Sequence, residues 1–348
     1  MTHIKVTPTG YSINNQPEVA TSTPLATAMR KAGDFADPTL IAIHGSHLTG
    51  LDIGGPAGYQ NKSNCVFWDR PITSLTLSGV DSNSKIGNLR FWDTLNGVDS
   101  ITIQNLTLVN DQNEFAPIRT AMNEVHGHIT INKCNFVGTG TNWLGKGMKW
   151  GVRGHGPAKW TITDCNFDPC QEHSIYIDNP QGDLLIDKCS GIRNGRTFMQ
   201  ITNRPTSGPS QFGNISVKNC VANEMSDYGG GGSDYTFVGC TGKLEVKDCN
   251  SFNTKNGAMV LWTDVTNGTY AVGRNYSFNE VLIERFRAES STATRPMVSL
   301  SGIRYGLVKN CYLYGGPMSY RLGGTYGGPR PNGHIEIVWN STGQSFGW

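Results

Sequence analysis

The chain of 348 residues carries 29 Lys and Arg against 27 Asp and Glu, a formal net charge of +2, and is 37% hydrophobic but only 16% charged. That is too apolar for a disordered chain, the charge balance supplies no basic excess for nucleic acid, and no run of 18 apolar residues is present to cross a membrane. With 43 glycines the composition points to a β-rich fold with many tight turns.

Residues 1–22 lack the apolar core of a signal peptide, so synthesis and folding in a reducing cytoplasm are expected. Ile4, Val6, Tyr11 and Ile13 alternate here among polar residues. The segment reads as too polar to form core, and is expected to be an extended arm able to add a strand to a partner's sheet edge. Residues 23–33, TPLATAMRKAG, predict a short helix. Thr23 is placed at the N-cap, Pro24 at N1 and Gly33 after the last turn, with Leu25, Ala28, Met29 and Ala32 on one apolar face. This helix is expected to plug the first coil of the repeats that lie C-terminal to it.

In those repeats one phrase recurs: apolar, any, apolar, two polar, then Cys. It ends at Cys134 (ITINKC), Cys165 (WTITDC), Cys189 (LLIDKC), Cys220 (ISVKNC), Cys249 (LEVKDC) and Cys311 (GLVKNC). Degenerate copies end at Ser46, Val80, Leu106, Phe286 and Asn340, and from Val80 onward the intervals run from 24 to 37 residues. A repeat of that size with period-2 alternation is the signature of a solenoid. The inward column reads Ile103, Ile131, Ile162, Ile186, Val217, Val246, Ile283, Val308 and Ile337. About ten coils stacked about 4.8 Å apart make a rod roughly 50 Å long. Nine cysteines, six of them at one repeat position, predict a buried column of free thiols.

A second strand per coil is predicted at residues 174–178, 198–202, 234–238, 258–262 and 297–301. Long insertions come after it at 203–214 and 263–280 and read as surface elaborations. Residues 314–333 are rich in Gly and Pro, a last strand is predicted at 334–340, and 341–348 form a tail. The domain reading is an arm over 1–22, one right-handed single-stranded parallel β-helix over 23–340, and that tail.

The helix succeeded by TLIAIHGSHL and then repeated ITI-x-x-C-x-F coils resembles the pectate-lyase-like superfamily of right-handed β-helices, over roughly residues 23–340, and most resembles its bacteriophage virion members. The resemblance implies the fold. For function it spans polysaccharide lyases, glycoside hydrolases, phage tailspikes and other virion proteins, and a fold does not choose among them. For the phage members it implies a homotrimer.

Three constellations bear on chemistry. Gly154-His155-Gly156 matches one polygalacturonase-like element, but the sequence has no Asn-Thr-Asp, no Asp-Asp pair and no Arg-Ile-Lys. Glycoside hydrolysis needs two carboxylates at a defined separation, so His155 reads as a surface residue of a turn. Asp164, Asp187, Asp248 and Glu284 alternate with Lys133, Lys188, Lys218, Lys247 and Arg285, which reads as cross-strand pairing rather than a calcium site. The inward cysteines lack zinc-ligand spacing. No cofactor and no metal are therefore expected. Finally, Tyr176 and Asp178 face outward, and stacking adds Arg153, Gln200 and Trp262. That stripe suits glycan stacking, a subunit interface or ordinary surface. The resulting expectation is a non-enzymatic structural protein of a phage virion: a capsid decoration, a cement protein or a tail spike. Its partners would be copies of itself and other virion proteins such as the major capsid protein, with a host surface glycan as a further ligand and neither nucleic acid nor membrane. A lyase, hydrolase or glycan-binding adhesin is the alternative.

Overall fold

A computed structural model describes residues 1–54, 62–68, 72–91, 98–110, 116–120, 127–138, 148–155, 159–178, 180, 182–202, 213–226, 232–239, 242–262, 278–323, 333–338 and 341–342. The insertions expected at 203–214 and 263–280, and the tail at 341–348, lie mostly outside these residues, and Cys240, Asn340 and 324–332 lie wholly outside them.

Among the described residues the strands form three sheets of 14, 11 and 11 strands, and one helix, α1 (Pro24–Ala32), accompanies them. The chain visits the sheets in rotation. Strand His128–Asn132 lies in sheet A, Asn135–Gly138 in sheet B and Met148–His155 in sheet C, and the next visit to A, Lys159–Thr163, pairs in parallel with the first. Parallel pairing of each pass with the next, in all three sheets, is the architecture of a β-helix or solenoid.

The register confirms the inward column. Ile103 pairs with Leu77 and Ile131, and the row continues through Ile162, Ile186, Val217, Val246, Ile283, Val308 and Ile337. The second-strand segments form the body of sheet C. The sheet A strands alternate buried and less buried residues, as the pleat requires.

Between sheets A and B the chain turns through a single left-handed residue. Asn105, Lys133, Asp164, Lys188, Asn219, Asp248, Arg285 and Asn310 all have φ between 51 and 56°. Each donates its N–H to the next coil, as Lys188 does to Lys218 O at 3.0 Å and Asn219 to Lys247 O at 3.0 Å. The residue after the turn is the repeated Cys, which points inward. All six ladder thiols are free and buried, and each donates to the carbonyl two residues back: Cys165 Sγ to Thr163 O at 3.1 Å, Cys220 Sγ to Lys218 O at 3.0 Å, Cys249 Sγ to Lys247 O at 3.1 Å. Burial pushes the Cys189 and Cys249 thiols up, and Cys311 to about 11, so these stay protonated at neutral pH.

Sheet B is a third strand per coil that the repeat phrase does not announce, because its strands are only two to four residues long. Its inward side chains trade volume with those of sheet C. Phe136 and Phe167 stack at 4.4 Å, and opposite them sheet C carries Gly151, where an added Cβ would lie 2.4 Å from Phe167 Cδ1. One coil further the roles reverse: sheet B carries Gly191, whose Cβ would lie 2.4 Å from Phe198 Cδ2 on sheet C. Beyond that, Tyr235 fills the core and donates its hydroxyl to Cys220 O at 3.0 Å and Asn250 O at 2.8 Å.

Three sequence expectations change. Residues 2–20 are not an arm. Thr2–Thr7 pairs in parallel with Thr39–Ile43 and in an antiparallel hairpin with Gly10–Ile13, and Ile4 and Val6 are fully buried. Two inward residues per short strand suffice to continue the core, whatever the polarity of the outward ones. Secondly, the copy ending at Ser46 is offset by two residues, since Ile41, not Ile43, pairs with Leu77. Thirdly, Val80 does not occupy the ladder position. It is 52% exposed, and a four-residue insertion delivers Ser84 there instead, its hydroxyl donating to Ile43 O at 2.6 Å.

The helix α1 has the expected buried face, Leu25, Ala28, Met29 and Ala32. Gly33 has φ −65°, so no left-handed cap requires it. Its need is steric: a Cβ would lie 2.4 Å from Trp68 Cδ1, and Trp68 Nε1 donates to Met29 O at 2.8 Å. Arg30 holds the chain leading to that tryptophan by donating to Ser63 O and Cys65 O, both at 2.7 Å.

Candidate functional site

The outer face of sheet C carries every residue of the expected stripe. Along one column the register runs Asp52, Arg90, Arg119, Arg153, Tyr176, Gln200, Thr236, Val260, Ser299 and Arg321. Two residues further along the strands a second column runs His155, Asp178, Thr202, Val238 and Trp262. Arg153, Tyr176 and Gln200 thus share a column, while Asp178 and Trp262 belong to its neighbour. The stripe divides into two regions.

The first region centres on Arg153. Its guanidinium lies 3.5 Å from the Tyr176 ring centroid and 5.0 Å from that of Trp150, and donates to Asp178 Oδ2 at 2.9 Å. A cation against two aromatic rings and a carboxylate is held firmly. Both partners of the ion pair are about seven-eighths shielded from solvent. Burial presses the Arg153 pKa down while Asp178 and Tyr176 support its charge. His155 is not the surface turn residue expected but the last residue of strand Met148–His155, with its side chain only 11% exposed. Its Nδ1 sits 3.4 Å from Asp178 Oδ2, but burial, with the charges of Arg153 and Arg119, lowers its pKa to about 4. Neutral at pH 7, it is a poised base only in the weak sense of being unprotonated. His173 beneath is fully buried, its pKa lowered by burial and then by Arg196, Arg153 and Lys149, and it hydrogen-bonds Thr197.

The second region is a groove of about 430 Å³ further along the same face, lined by Arg196, Gln200, Trp262, Arg295, Ser299 and Arg321 among others. Gln200 Nε2 donates to Thr202 Oγ1 at 3.1 Å. Arg196 Nε is buried and makes no hydrogen bond among the described residues. The described lining contains no Asp or Glu.

Gln200 and Trp262 were legible as outward residues of this groove. The arginines were not, because Arg196, Arg295 and Arg321 fall before or beyond the second-strand segments that sequence periodicity marks. A usable signal existed for the row Arg90, Arg119 and Arg153: each comes directly after an apolar residue, Leu89, Ile118 or Val152, that the structure buries.

Of the outward carboxylates expected to pair, Glu284 and Asp248 meet cations, Asp248 meeting Arg285 at 2.6 Å, while Asp187 accepts from Asn219 Nδ2 at 2.8 Å. Glu245 meets Lys218 at 3.2 Å and Lys247 at 2.6 Å, and Glu284 meets Lys247 at 3.7 Å and Lys309 at 3.4 Å. Among the described residues no cluster of three His, Cys, Asp or Glu has metal-binding geometry, and no helix is long and apolar enough to cross a membrane. Comparison with family models, with curated proteins and with solved structures finds no match.

Proposed function

We propose that the chain is a right-handed, single-stranded parallel β-helix of about ten coils, closed at its first coil by α1 and allied to the bacteriophage virion members of the pectate-lyase-like superfamily. In this reading it is a non-enzymatic structural protein, a capsid decoration or cement protein or a tail-associated spike. It assembles as a homotrimer and docks on other virion proteins such as the major capsid protein.

The observation that carries the reading is the engagement of the outward carboxylates. Asp178 is held by Arg153 at 2.9 Å, Asp168 by Arg193, Asp248 by Arg285 at 2.6 Å, and Glu245 and Glu284 by lysines of neighbouring coils. Carboxylates committed to cations are poor partners for the two-carboxylate chemistry of glycoside hydrolysis. A stiff prism with flat faces suits packing of three copies about one axis, which closes the assembly.

The test is the solution mass of the intact chain, its co-sedimentation with phage particles and an assay on bacterial surface glycans. The reading expects a trimer, co-sedimentation and no cleavage. A monomer at micromolar concentration that never joins particles overturns it. Glycan cleavage lost in His155→Ala or Asp178→Asn would assign a lyase or hydrolase instead.

A further inference from the structure

We propose that the ladder thiols form a single-file site in the core for monovalent soft metal ions, copper(I) above all, with one ion between each pair of neighbouring sulfurs. The site lies inside the three sheets, so it depends neither on what the outer faces bind nor on how copies of the chain assemble. The column is continuous over five coils. Asn132 pairs with Thr163 before the turn and Asn135 with Asn166 after it, which sets Cys134 level with Cys165. The same bracketing aligns Cys189, Cys220 and Cys249 in turn. Leu106 closes the column at one end and Phe286 at the other, so Cys311, on the far side of Phe286, stands outside it.

Distance separates the possible uses of such a column. Residues level with one another on neighbouring coils are about 4.8 Å apart, at Cβ as at Cα. A disulfide needs its Cβ atoms about 3.8 Å apart, so level cysteines are spaced too widely for one. Two metal–thiolate bonds of about 2.3 Å each span about 4.6 Å in a straight line, close to the coil spacing. Neighbouring thiols already hydrogen-bond along the column, from Cys134 through Cys165, Cys189 and Cys220 to Cys249. The ion therefore takes the place of a proton that two sulfurs share. A single file offers each ion two sulfurs, too few for zinc, which wants four ligands, and the wrong atoms for calcium or magnesium. Soft thiolate selects copper(I), which, like silver(I), is satisfied by two ligands in a line.

Charge and hydrogen bonding favour the exchange. An unpaired charge in the core is costly, but each monovalent ion that enters displaces one thiol proton. Five consecutive thiols enclose four gaps. Four ions entering and four protons leaving keep the column neutral, with each inner sulfur bridging two ions and one end thiol retaining its proton. No acceptor is orphaned when a thiol proton leaves. The carbonyls to which the five thiols donate, those of Asn132, Thr163, Asp187, Lys218 and Lys247, each already accept a backbone N–H from the coil before. The backbone N–H of the ladder residue one coil back hydrogen-bonds the sulfurs of Cys165, Cys220 and Cys249 and favours their charged form.

The experiment counts ions. The intact chain is given copper(I), silver(I) or zinc(II) without oxygen, both when folded and during refolding from urea. A chelator then strips ions held by single thiols, and native mass spectrometry weighs what remains. About four retained copper(I) or silver(I) ions, with as many protons lost, and no zinc are expected. Ser84 occupies the ladder position of an earlier coil, so serine is the conservative replacement, and thermal melts verify that each variant folds. Cys189→Ser divides the column into two pairs and is expected to lower the count from about four to about two. Cys311→Ser is expected to leave it unchanged. Cys165→Ser combined with Cys220→Ser leaves no neighbouring thiols and is expected to retain no ion. Zinc held as firmly as copper(I), a count that Cys189→Ser leaves unchanged or that Cys311→Ser lowers equally, or no copper(I) or silver(I) retained by either route overturns the site.

Discussion

Cysteine at the ladder position does two things at once. It fills a small inward corner, and its thiol donates to the carbonyl that ends the sheet A strand, as Cys220 Sγ does to Lys218 O at 3.0 Å. A hydroxyl at the same site inherits that acceptor, so burying it carries a smaller penalty than an orphaned hydroxyl would. Cys220→Ser is expected to cost about 1 kcal/mol, and Cys220→Ala more, since it loses both the donor and the volume; urea denaturation of the three proteins checks the order. Asp234 is the other informative residue. It is fully buried, accepts hydrogen bonds from Ser251 Oγ at 2.5 Å and Thr254 Oγ1 at 2.9 Å, and burial raises its pKa to about 7. The folded state therefore holds this proton more tightly than the unfolded chain. Its contribution to stability is full below about pH 4 and is lost as pH rises toward about 7, by up to about 4 kcal/mol. Asp234→Asn is expected to flatten the stability profile over that window, relative to the parent; equal pH dependence in the two proteins would show that the carboxyl does not titrate there.

At the scale of elements, what was legible tracked period and what was not tracked length. The sheet A strands repeat the same inward apolar position, six of them with a Cys behind, so their register could be read for nine consecutive strands of that sheet. Sheet B strands are two to four residues long, and their inward residue drifts from Phe136 and Phe167 to Gly191 and Ala222, which leaves periodicity nothing to mark. Val80 misled because the in-register phrase before it is followed by a four-residue insertion whose first residue happens to be apolar. The first strand misled for a different reason: composition over 22 residues hid two fully buried side chains. Since Ile4 packs over Ile41 as part of the core, Ile4→Ala is expected to cost about 2–5 kcal/mol. That is the cost of a core substitution, where an arm residue would cost almost nothing; thermal melts distinguish the two.

For the molecule as a whole, each coil touches mainly the one before and the one after, so stability is close to a sum of local terms and interfaces. The last sheet A strand, His334–Val338, is nowhere fully buried, with Ile335 and Ile337 only partly covered, while strands such as Leu184–Asp187 have paired neighbours on both sides. Hydrogen exchange is therefore expected to be graded, with amides of 334–338 exchanging well before those of 184–187; uniform protection along the rod would instead mean that it opens as one unit. The face of sheet C was legible as a row of outward positions, yet its arginine groove was not, because several coils must be wound before Arg196, Arg295 and Arg321 meet.

The reversal between Gly151 beneath Phe167 and Gly191 beneath Phe198 has a genealogical consequence. A repeat protein ordinarily grows and shrinks by duplicating or dropping units, since any unit fits any neighbour. Here the coils on either side of the reversal carry opposite moulds, so a crossover that placed a second phenylalanine where Gly191 stands would drive one ring into another. Exchange of units is closed across that boundary, and the order of the coils on its two sides is inherited as a fixed text rather than as interchangeable beads.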